Sequence, residues 1–344
     1  MPDRLPLIYD LELPELGAWT TARGEKPYRA RQVCEWLYQK FALVFESMTS
    51  LPGALRDQLN EAFALPGCEV LAEQAGEQTS KLLLGFVDGA EVECVSMQMD
   101  LSPTFCLSTQ VGCAMGCAFC ASTLAGCERN LSAGEVLAQA TVLGARHGRP
   151  RNVVFMGMGD PLLNLEATLT AVQRLTDKAA FGLSPRRVTI ATCGIVPQIR
   201  ELAKLNLGVN LAVSLNSTRE EQRRELMPGA ARWSLAELMA ACGEFSEATG
   251  GQPVTFTYVL LREVNDFDAD ADRLVHLLRP LRHHLNLIPL NPVEHALLRP
   301  PSEQHLRHFV DMLQRRGINV SVRRSKGGEI EAACGQLRRR HRNT

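Results

Sequence analysis

The sequence predicts an α/β fold, with a mainly parallel sheet that is open or curled into a partial (β/α)6 barrel. From residue 103 onward, short runs rich in β-branched residues alternate with amphipathic helical segments. We expect strands near residues 103–109, 152–156, 187–192, 208–214, 254–260 and 285–290. In such sheets the loops at the carboxyl ends of the strands carry the function.

Capping residues mark where several helices of the barrel begin and end. Ser132 and Ser234 each stand three residues before a glutamate, which is the spacing of a capping box. Ser302 is expected to begin a further helix that Gly317 ends. These signals support the alternation of strands and helices.

The segment before the barrel has a different pattern. Its first part has apolar residues at helical spacing (Val33, Trp36, Leu37 and Phe41), and another helix is expected after Pro52. Residues 81–86 and 92–98, on either side of a turn at 88–89, predict a β-hairpin. We therefore divide the chain into a helical accessory domain (1–75), a hairpin linker (76–98), a core (99–330) and a C-terminal segment (331–344).

Composition excludes several classes of protein. The 344 residues are 45% hydrophobic, and no run approaches the ~18 apolar residues of a membrane helix. The N-terminus lacks a signal peptide, so we expect a cytoplasmic protein without membrane contact. Eleven irregularly spaced cysteines disfavour a disulfide scaffold and favour metal or redox use in a reducing compartment.

The charge balance disfavours a surface that binds nucleic acid everywhere, since the formal net charge is −1. Basic residues nevertheless recur in pairs and in one C-terminal run, at 186–187, 223–224, 323–324 and 338–342. They predict a local groove for phosphates, although such pairs are more often solvated surface.

Three cysteines stand close together in the loop after the first strand of the barrel. Cys113, Cys117 and Cys120 fall within eight residues, and three thiolates in such a loop are expected to bind metal. A structural zinc ion usually takes four protein ligands, whereas three thiolates suit a 4Fe-4S cluster with one open iron. A zinc site or a ferredoxin-like cluster remains the alternative.

The spacing Cys-x3-Cys-x2-Cys, with Phe119 before the last cysteine, resembles the signature of the radical S-adenosylmethionine (SAM) superfamily. The resemblance implies that the open iron binds SAM. The run Met156 to Pro161 resembles the glycine-rich motif that holds the methionine part of SAM. Without the cysteines, a plain strand-to-helix turn would explain that run equally well.

Further segments along nearly the whole chain resemble the RlmN/Cfr family of RNA methyltransferases, at 24–32, 110–112, 129–131, 286–292, 322–330 and 332–337. This resemblance implies a radical-SAM barrel that uses two SAM molecules per turnover. It also implies an RNA substrate, ribosomal or transfer RNA, methylated on an adenosine ring carbon. Carbon 2 is favoured, and carbon 8 is the target of another branch.

The family's chemistry implies three catalytic residues. By position, Cys334 corresponds to the cysteine that is methylated first, and Cys106 to the resolving cysteine that forms a transient disulfide with it. Glu93 corresponds to the proton acceptor. Without the resemblance, Cys106 and Glu93 would be interpreted as ordinary strand residues. The cycle also needs a donor such as flavodoxin for the cluster and a thiol reductant for the disulfide.

Six residues fall on the family's SAM-binding positions: Gly159, Asp160, Ser214, Leu215, Asn216 and Asn291. Three positions depart from the family pattern, because Asp160 replaces a glutamate, Asn216 a histidine and Ala191 a serine. Each change removes a polar contact worth about 1 kcal/mol, which suggests a divergent branch. Cys94 and Cys127 are atypical of the family and are expected to have no role.

Two other classes of protein remain compatible with the sequence. One is a radical enzyme acting on a small molecule or peptide, against which the pair Cys106 and Cys334 argues. The other is a non-catalytic protein that binds RNA or carries a cluster. The presence of Cys106, Cys334 and Glu93 together argues against an inactive protein.

Overall fold

The computed structural model describes residues 5–99, 102–291, 298–323, 337–338 and 341. The chain begins with three helices, α1 (Leu13–Thr21), α2 (Tyr28–Tyr38) and α3 (Gly53–Ala62). Their apolar sides pack together through buried residues such as Val33, Leu37 and Leu59. Within the described ranges, no helix combines the length and the hydropathy that crossing a bilayer requires.

Strands occupy most of the remaining framework: β1 (Cys68–Ala75), β2 (Thr79–Phe86), β3 (Glu91–Met99), β4 (Ser102–Cys106), β5 (Gln110–Gly112), β6 (Cys127–Asn130), β7 (Asn152–Phe155), β8 (Val188–Thr192), β9 (Asn210–Ser214), β10 (Val254–Leu260), β11 (His283–Pro289) and β12 (Val320–Val322). In the described part, ten form one sheet in the order β1-β2-β3-β4-β7-β8-β9-β10-β11-β12. The first four are antiparallel neighbours, and from β4 to β12 every neighbouring pair is parallel.

Helices connect the parallel strands: α4 (Ala133–His147), α5 (Leu165–Thr176), α6 (Val196–Leu205), α7 (Glu220–Leu226), α8 (Leu235–Ala248), α9 (Asp268–Leu278) and α10 (Glu303–Arg315). The capping boxes at Ser132 and Ser234 are both formed, and the hydroxyl of Ser302 caps α10. The predicted helix starts are therefore confirmed.

The two faces of the ten-stranded sheet differ in polarity. Residues paired in register across neighbouring strands point to the same side of a sheet. One side carries polar residues on most strands (Lys81, Glu93, Cys106, Thr189, Ser214, Thr257, Asn286 and Ser321), and we call it the polar face. The other side is apolar and buried in the core, with Leu82, Cys94, Phe105, Ile190 and Phe256.

The mainly parallel α/β architecture and its six predicted strands are confirmed, with β4, β7, β8, β9, β10 and β11 at the expected places. A further parallel strand, β12, was missed because three residues are too few to show a periodic pattern. The helix predicted around Val33 ends at Tyr38, and Phe41 lies beyond it with a φ of 56°.

The last part of the predicted accessory domain (1–75) is a strand, since Cys68–Ala75 forms β1. Its acidic and alanine residues are poor strand formers, but pairing with β2 decides the conformation. The predicted hairpin exists as β2 and β3, but it extends the main sheet instead of standing apart as a linker. The wider division into domains stays a prediction.

Candidate active site

A small antiparallel ribbon carries the loop of the three clustered cysteines. β5 and β6 pair with each other, and the loop between them contains Cys113, Cys117 and Cys120. The N–H of Cys113 donates to the carbonyl of Gly126 at 2.9 Å. Gly112 has a φ of 84°, and a Cβ there would lie 2.0 Å from that carbonyl oxygen, so the loop closes only with glycine at this position.

The cysteine loop docks on the segment that follows α7. The N–H of Ala118 donates to the carbonyl of Leu226 at 2.9 Å, and the N–H of Gly229 donates to the carbonyl of Met115 at 3.0 Å. A Cβ on Gly229 would lie 2.9 Å from the Met115 Cα, which is closer than side chains tolerate. These contacts fix the loop against the end of α7 and the segment that follows it.

The three thiols fit a metal group chemically. Cys113 and Cys117 are buried and Cys120 is half-buried. Burial raises the pKa of the Cys113 thiol to about 12, and the neighbouring thiols of Cys120 and Cys117 add to it. Bound iron would favour the thiolates instead. Among the described side chains, no three His, Cys, Asp or Glu residues are arranged closely enough to form a preassembled metal site. The three thiols therefore share one loop but do not converge on a common position.

Asp160 joins the loop after β7 to the loop after β8. One carboxylate oxygen accepts the N–H of Leu162 at 3.0 Å, and the other accepts the Cys193 N–H at 2.7 Å and the Thr192 hydroxyl at 3.0 Å. Burial raises the pKa of Asp160, and these hydrogen bonds oppose the rise. Gly159 beside it has a φ of 93°, and a Cβ there would lie 2.6 Å from Gln110.

The other predicted SAM-binding positions follow β9 and β11. Ser214 ends β9 and accepts the Thr257 hydroxyl at 3.2 Å, while the N–H of Leu215 donates to the Thr257 carbonyl. Asn216 is buried with a φ of 51°; its Oδ1 accepts the Val259 N–H at 2.8 Å. The amide of Asn216 thus supports the fold as well as lining this end of the sheet. Asn291 is the second residue after β11.

Three residues are expected to depart from the family pattern. Asp160 lies in the loop after β7, Ala191 near the end of β8, and Asn216 in the loop after β9. Ala191 is opposite Ala212 in the β8–β9 pair, so a methyl group stands where the resemblance implies a hydroxyl. Asp160 and Asn216 both have protein hydrogen-bond partners. At Ala191, by contrast, the residue opposite it on β9 is also an alanine, so it supplies no polar group in place of the missing hydroxyl.

Two of the predicted catalytic residues share the polar face. Cys106 on β4 lies opposite Val95 on β3, and Glu93 is two residues from Val95 on the same strand. Side chains two residues apart project to the same side, so Glu93 and Cys106 face one space. Both residues are buried. Cys334 lies outside the described residues.

The sequence did not single out Lys81, which pairs with Glu93. Its Nζ lies 3.0 Å from Glu93 Oε2, and both side chains are withdrawn from solvent. The backbone N–H of Arg338 donates to Glu93 Oε1 at 2.8 Å. A lysine next to three leucines in a predicted strand was the available signal, because a buried lysine needs a partner.

Arg223, which the sequence placed in one of the basic pairs, is instead fully buried next to the cysteine loop. Its guanidinium donates to the carbonyls of Ala230 at 2.9 Å, Trp233 at 3.0 Å and Cys193 at 3.1 Å. Burial lowers its pKa. The basic residues predicted to face phosphates therefore contribute less exposed charge than expected, because Arg223 and Arg338 are buried. The described members of the basic pairs that are exposed are Arg186, Arg187, Arg224 and Arg323.

The two atypical cysteines differ in position. Cys94 follows Glu93 on β3 but points to the apolar face, where burial raises its pKa well above the ordinary value. Cys127 begins β6 and is half-buried. The neighbouring Cys68 thiol adds to the rise in the pKa of Cys94.

Comparison with known proteins gives two matching family models. One, described as the radical SAM superfamily, matches residues 107–275. The other, described as the ribosomal RNA large subunit methyltransferase N-terminal domain, matches residues 8–65. The segment between the two matched ranges contains strands β1 to β4.

Several relatives align over nearly the whole chain. A probable dual-specificity RNA methyltransferase RlmN from Moorella thermoacetica is 44% identical, with 94% of each protein covered. The protein of that name from Pelotomaculum thermopropionicum is 43% identical, with 97% of this chain and 91% of that protein covered. The crystal structure of a radical SAM methyltransferase from Sphaerobacter thermophilus matches with a TM-score of 0.92 at 41% identity, covering 96% of this chain and 98% of the other.

Proposed function

Because this chain belongs to the RlmN/Cfr family of radical SAM RNA methyltransferases, we propose that it methylates an adenosine ring carbon in ribosomal RNA, transfer RNA or both. Carbon 2 is the favoured target, and carbon 8 is the alternative. One observation carries the proposal: Glu93 and Cys106 face the same space on the polar face of the sheet. The full-length similarity to RNA methyltransferases does not favour a small-molecule or peptide substrate.

The cofactors belong to the cysteine loop and the neighbouring strand ends. Cys113, Cys117 and Cys120 would hold one 4Fe-4S cluster, which supplies the electron for reductive cleavage of SAM. Gly159, Asp160, Ser214, Leu215, Asn216 and Asn291 would hold SAM. In this proposal two SAM molecules are used per turnover, one as methyl donor and one as radical source.

Cys334 would carry the methyl group, because an adenine ring carbon is electrophilic and cannot take a methyl cation directly. Its thiolate would take the methyl group of one SAM, with S-adenosylhomocysteine leaving. The radical derived from the second SAM would remove a hydrogen atom from the S-methyl group. The resulting carbon radical would add to the ring and the adduct would return one electron to the oxidised cluster, so that RNA is joined to the protein through that carbon and sulfur.

The Cys106 thiolate then attacks the Cys334 sulfur. The bond from that sulfur to the transferred carbon would break with its electron pair passing to the carbon, which takes up a proton to become the methyl group, and a Cys106–Cys334 disulfide would form.

Glu93 would accept the proton that leaves the ring carbon, with the electrons of the carbon–hydrogen bond returning to the ring. The arrangement supports this role, since Glu93 lies on the polar face with Cys106 and is shielded from water. An external thiol reductant must then reduce the disulfide, and a donor such as flavodoxin must reduce the cluster. Both needs suit the cytoplasm, where the RNA substrates also are.

The test is to trap the covalent intermediate. In Cys106→Ala the resolving thiol is missing, so protein isolated from cells should carry RNA that survives denaturation and disappears with nuclease. Cys334→Ala should carry neither RNA nor a methyl group. Cys94→Ala is the matched control, because Cys94 is next to Glu93 but points to the opposite face.

Mass spectrometry completes the experiment. A one-methyl increment on Cys334 and 2-methyladenosine in digested RNA are expected, while 8-methyladenosine would assign the alternative carbon. Normal turnover by Cys106→Ala, together with an unmethylated Cys334 in active enzyme, would refute the proposed mechanism.

A further inference from the structure

A fully buried ion pair lies beside Cys106 on the polar face. Lys81 Nζ and Glu93 Oε2 are 3.0 Å apart, and the exposed fractions of the two side chains are 0% and 1%. Lys81 lies opposite Val95 in the β2–β3 pair, and Val95 lies opposite Cys106 in the β3–β4 pair. Lysine, carboxylate and thiol therefore occupy three adjacent strands on one side of the sheet.

The carboxylate of Glu93 is held from two directions. Lys81 contacts Oε2, and the backbone N–H of Arg338 donates to Oε1 at 2.8 Å. The backbone of Glu93 is also fixed, because its carbonyl accepts the hydroxyl of Ser108 at 2.6 Å and its N–H lies 3.4 Å from the sulfur of Met158. Few side chains in the site have so little freedom.

The charged neighbours are engaged elsewhere. The Arg338 guanidinium pairs with Glu128, and Glu91 on β3 pairs with His341. The remaining titratable group on this side of β4 is the Cys106 thiol. Among these described groups, Lys81 is the cation in direct contact with the Glu93 carboxylate.

A buried ion pair is a poor way to stabilise a sheet. The cost of removing both charges from water offsets most of their attraction, and apolar side chains of similar size usually serve as well. The neighbouring Leu82, Leu83 and Leu84 show that this strand accommodates apolar residues. A proton acceptor in a dry site has a different requirement, since without water a carboxylate stays ionised only with a nearby cation or with hydrogen-bond donors.

We propose that Lys81 is a positioning residue that keeps Glu93 ionised and orients it for proton abstraction. This inference rests on the proposed function, in which Glu93 accepts the proton of the adenosine ring carbon. When Glu93 takes that proton, the carboxylate becomes a neutral acid next to the Lys81 ammonium. The ammonium then favours loss of the proton from Glu93, which returns the site to its starting state.

The test measures how fast the covalent RNA–protein adduct resolves at different pH values, with reconstituted enzyme. Lys81→Gln removes the charge and keeps a hydrogen-bond donor, and Lys81→Arg keeps the charge. We expect Lys81→Gln to slow resolution about tenfold or more at neutral pH and to move the acidic limb of the pH profile upward by about one pH unit or more. Lys81→Arg should restore the wild-type limb at least in part.

Two controls separate a positioning role from a structural one. Methylation of Cys334 precedes the proton transfer, so its extent should be unchanged in Lys81→Gln. Ser80→Ala is the matched control, because Ser80 is on the same strand but bonds to Glu73 on β1. It should leave the pH profile unmoved.

The outcomes distinguish the two hypotheses. If Glu93→Gln resolves the adduct normally, Glu93 is not the proton acceptor and the proposed function fails at that residue. If Glu93→Gln traps RNA while Lys81→Gln keeps the wild-type pH profile, the role of Lys81 is overturned and that of Glu93 stands.

A second measurement does not depend on the folding of any Lys81 variant. The infrared difference spectrum between the wild type and Glu93→Gln at neutral pH should show the loss of an ionised-carboxylate band. A protonated-carboxyl band in its place would overturn the inference.

Discussion

The sulfur atoms of Cys117 and Cys193 lie 3.8 Å apart, although 76 positions separate the two residues in the chain. Cys193 comes from the loop after β8, and its backbone is fixed by Asp160 and Arg223. A cysteine outside the clustered motif thus contacts a cysteine inside it. The contact raises a question that can be tested: whether the metal ligands are only the three cysteines of the spaced motif, or also Cys193, which lies next to one of them.

We predict that Cys193→Ala keeps its iron. Three thiolates suffice for a 4Fe-4S cluster whose fourth iron binds SAM, so anaerobically reconstituted Cys193→Ala should hold about four irons per chain. The triple alanine variant at Cys113, Cys117 and Cys120 should hold almost none. Loss of iron in Cys193→Ala would make Cys193 a ligand, and zinc in the wild type would exclude the cluster.

Asp160 should contribute to stability as well as to SAM binding. Asp160→Asn places an amide group toward donors that now bond to the carboxylate, so we expect a loss of about 1–3 kcal/mol in the free energy of unfolding. Thr192→Val removes one of these hydrogen bonds and should cost about 0.5–1.5 kcal/mol. Denaturant unfolding and SAM titration calorimetry check both; equal stability of Asp160→Asn and wild type would contradict the prediction.

Arg129 should connect three elements. It lies on β6 and contacts Asp88 in the β2–β3 turn at 2.7 Å and both oxygens of Glu135 on α4 at 2.7 and 2.8 Å. Arg129→Lys loses the two-pronged geometry, and we expect a cost of about 1–2 kcal/mol. Arg200→Lys, in an exposed pair with Glu244, should change stability by less than about 0.5 kcal/mol in the same unfolding experiment. If both variants lost the same amount of unfolding free energy, Arg129 would not connect these elements more strongly than an exposed ion pair does.

Alkaline pH should destabilise the fold partly through Cys242. Burial in α8 raises its pKa from 9.0 to about 12. Its stabilising contribution is therefore complete below pH 9 and is lost as pH rises from 9 toward 12, at up to about 1.4 kcal/mol per pH unit. Cys242→Ala costs packing at neutral pH but should show a shallower decline above pH 9. Parallel stability curves for the two proteins would exclude this contribution.

Much of the fold was accessible from local patterns. The six predicted barrel strands, the hairpin and the capped helices all depend on residues near one another in the sequence, such as Ser132 and Glu135. β1 and the β5–β6 ribbon were not accessible. Their pairing depends on partners that the local pattern does not reveal, and Cys68–Ala75 alone has no strand preference.

The sequence by itself determined the cysteine spacing, the strand and helix order, and the resemblance that implies catalytic roles for Glu93 and Cys106. Tertiary structure decided what surrounds them. Lys81 meets Glu93 because the register of β2 against β3 makes them diagonal neighbours, and Cys193 meets Cys117 because two parallel strands end at the same edge. Register and strand order are collective results of packing, so no local pattern specifies them.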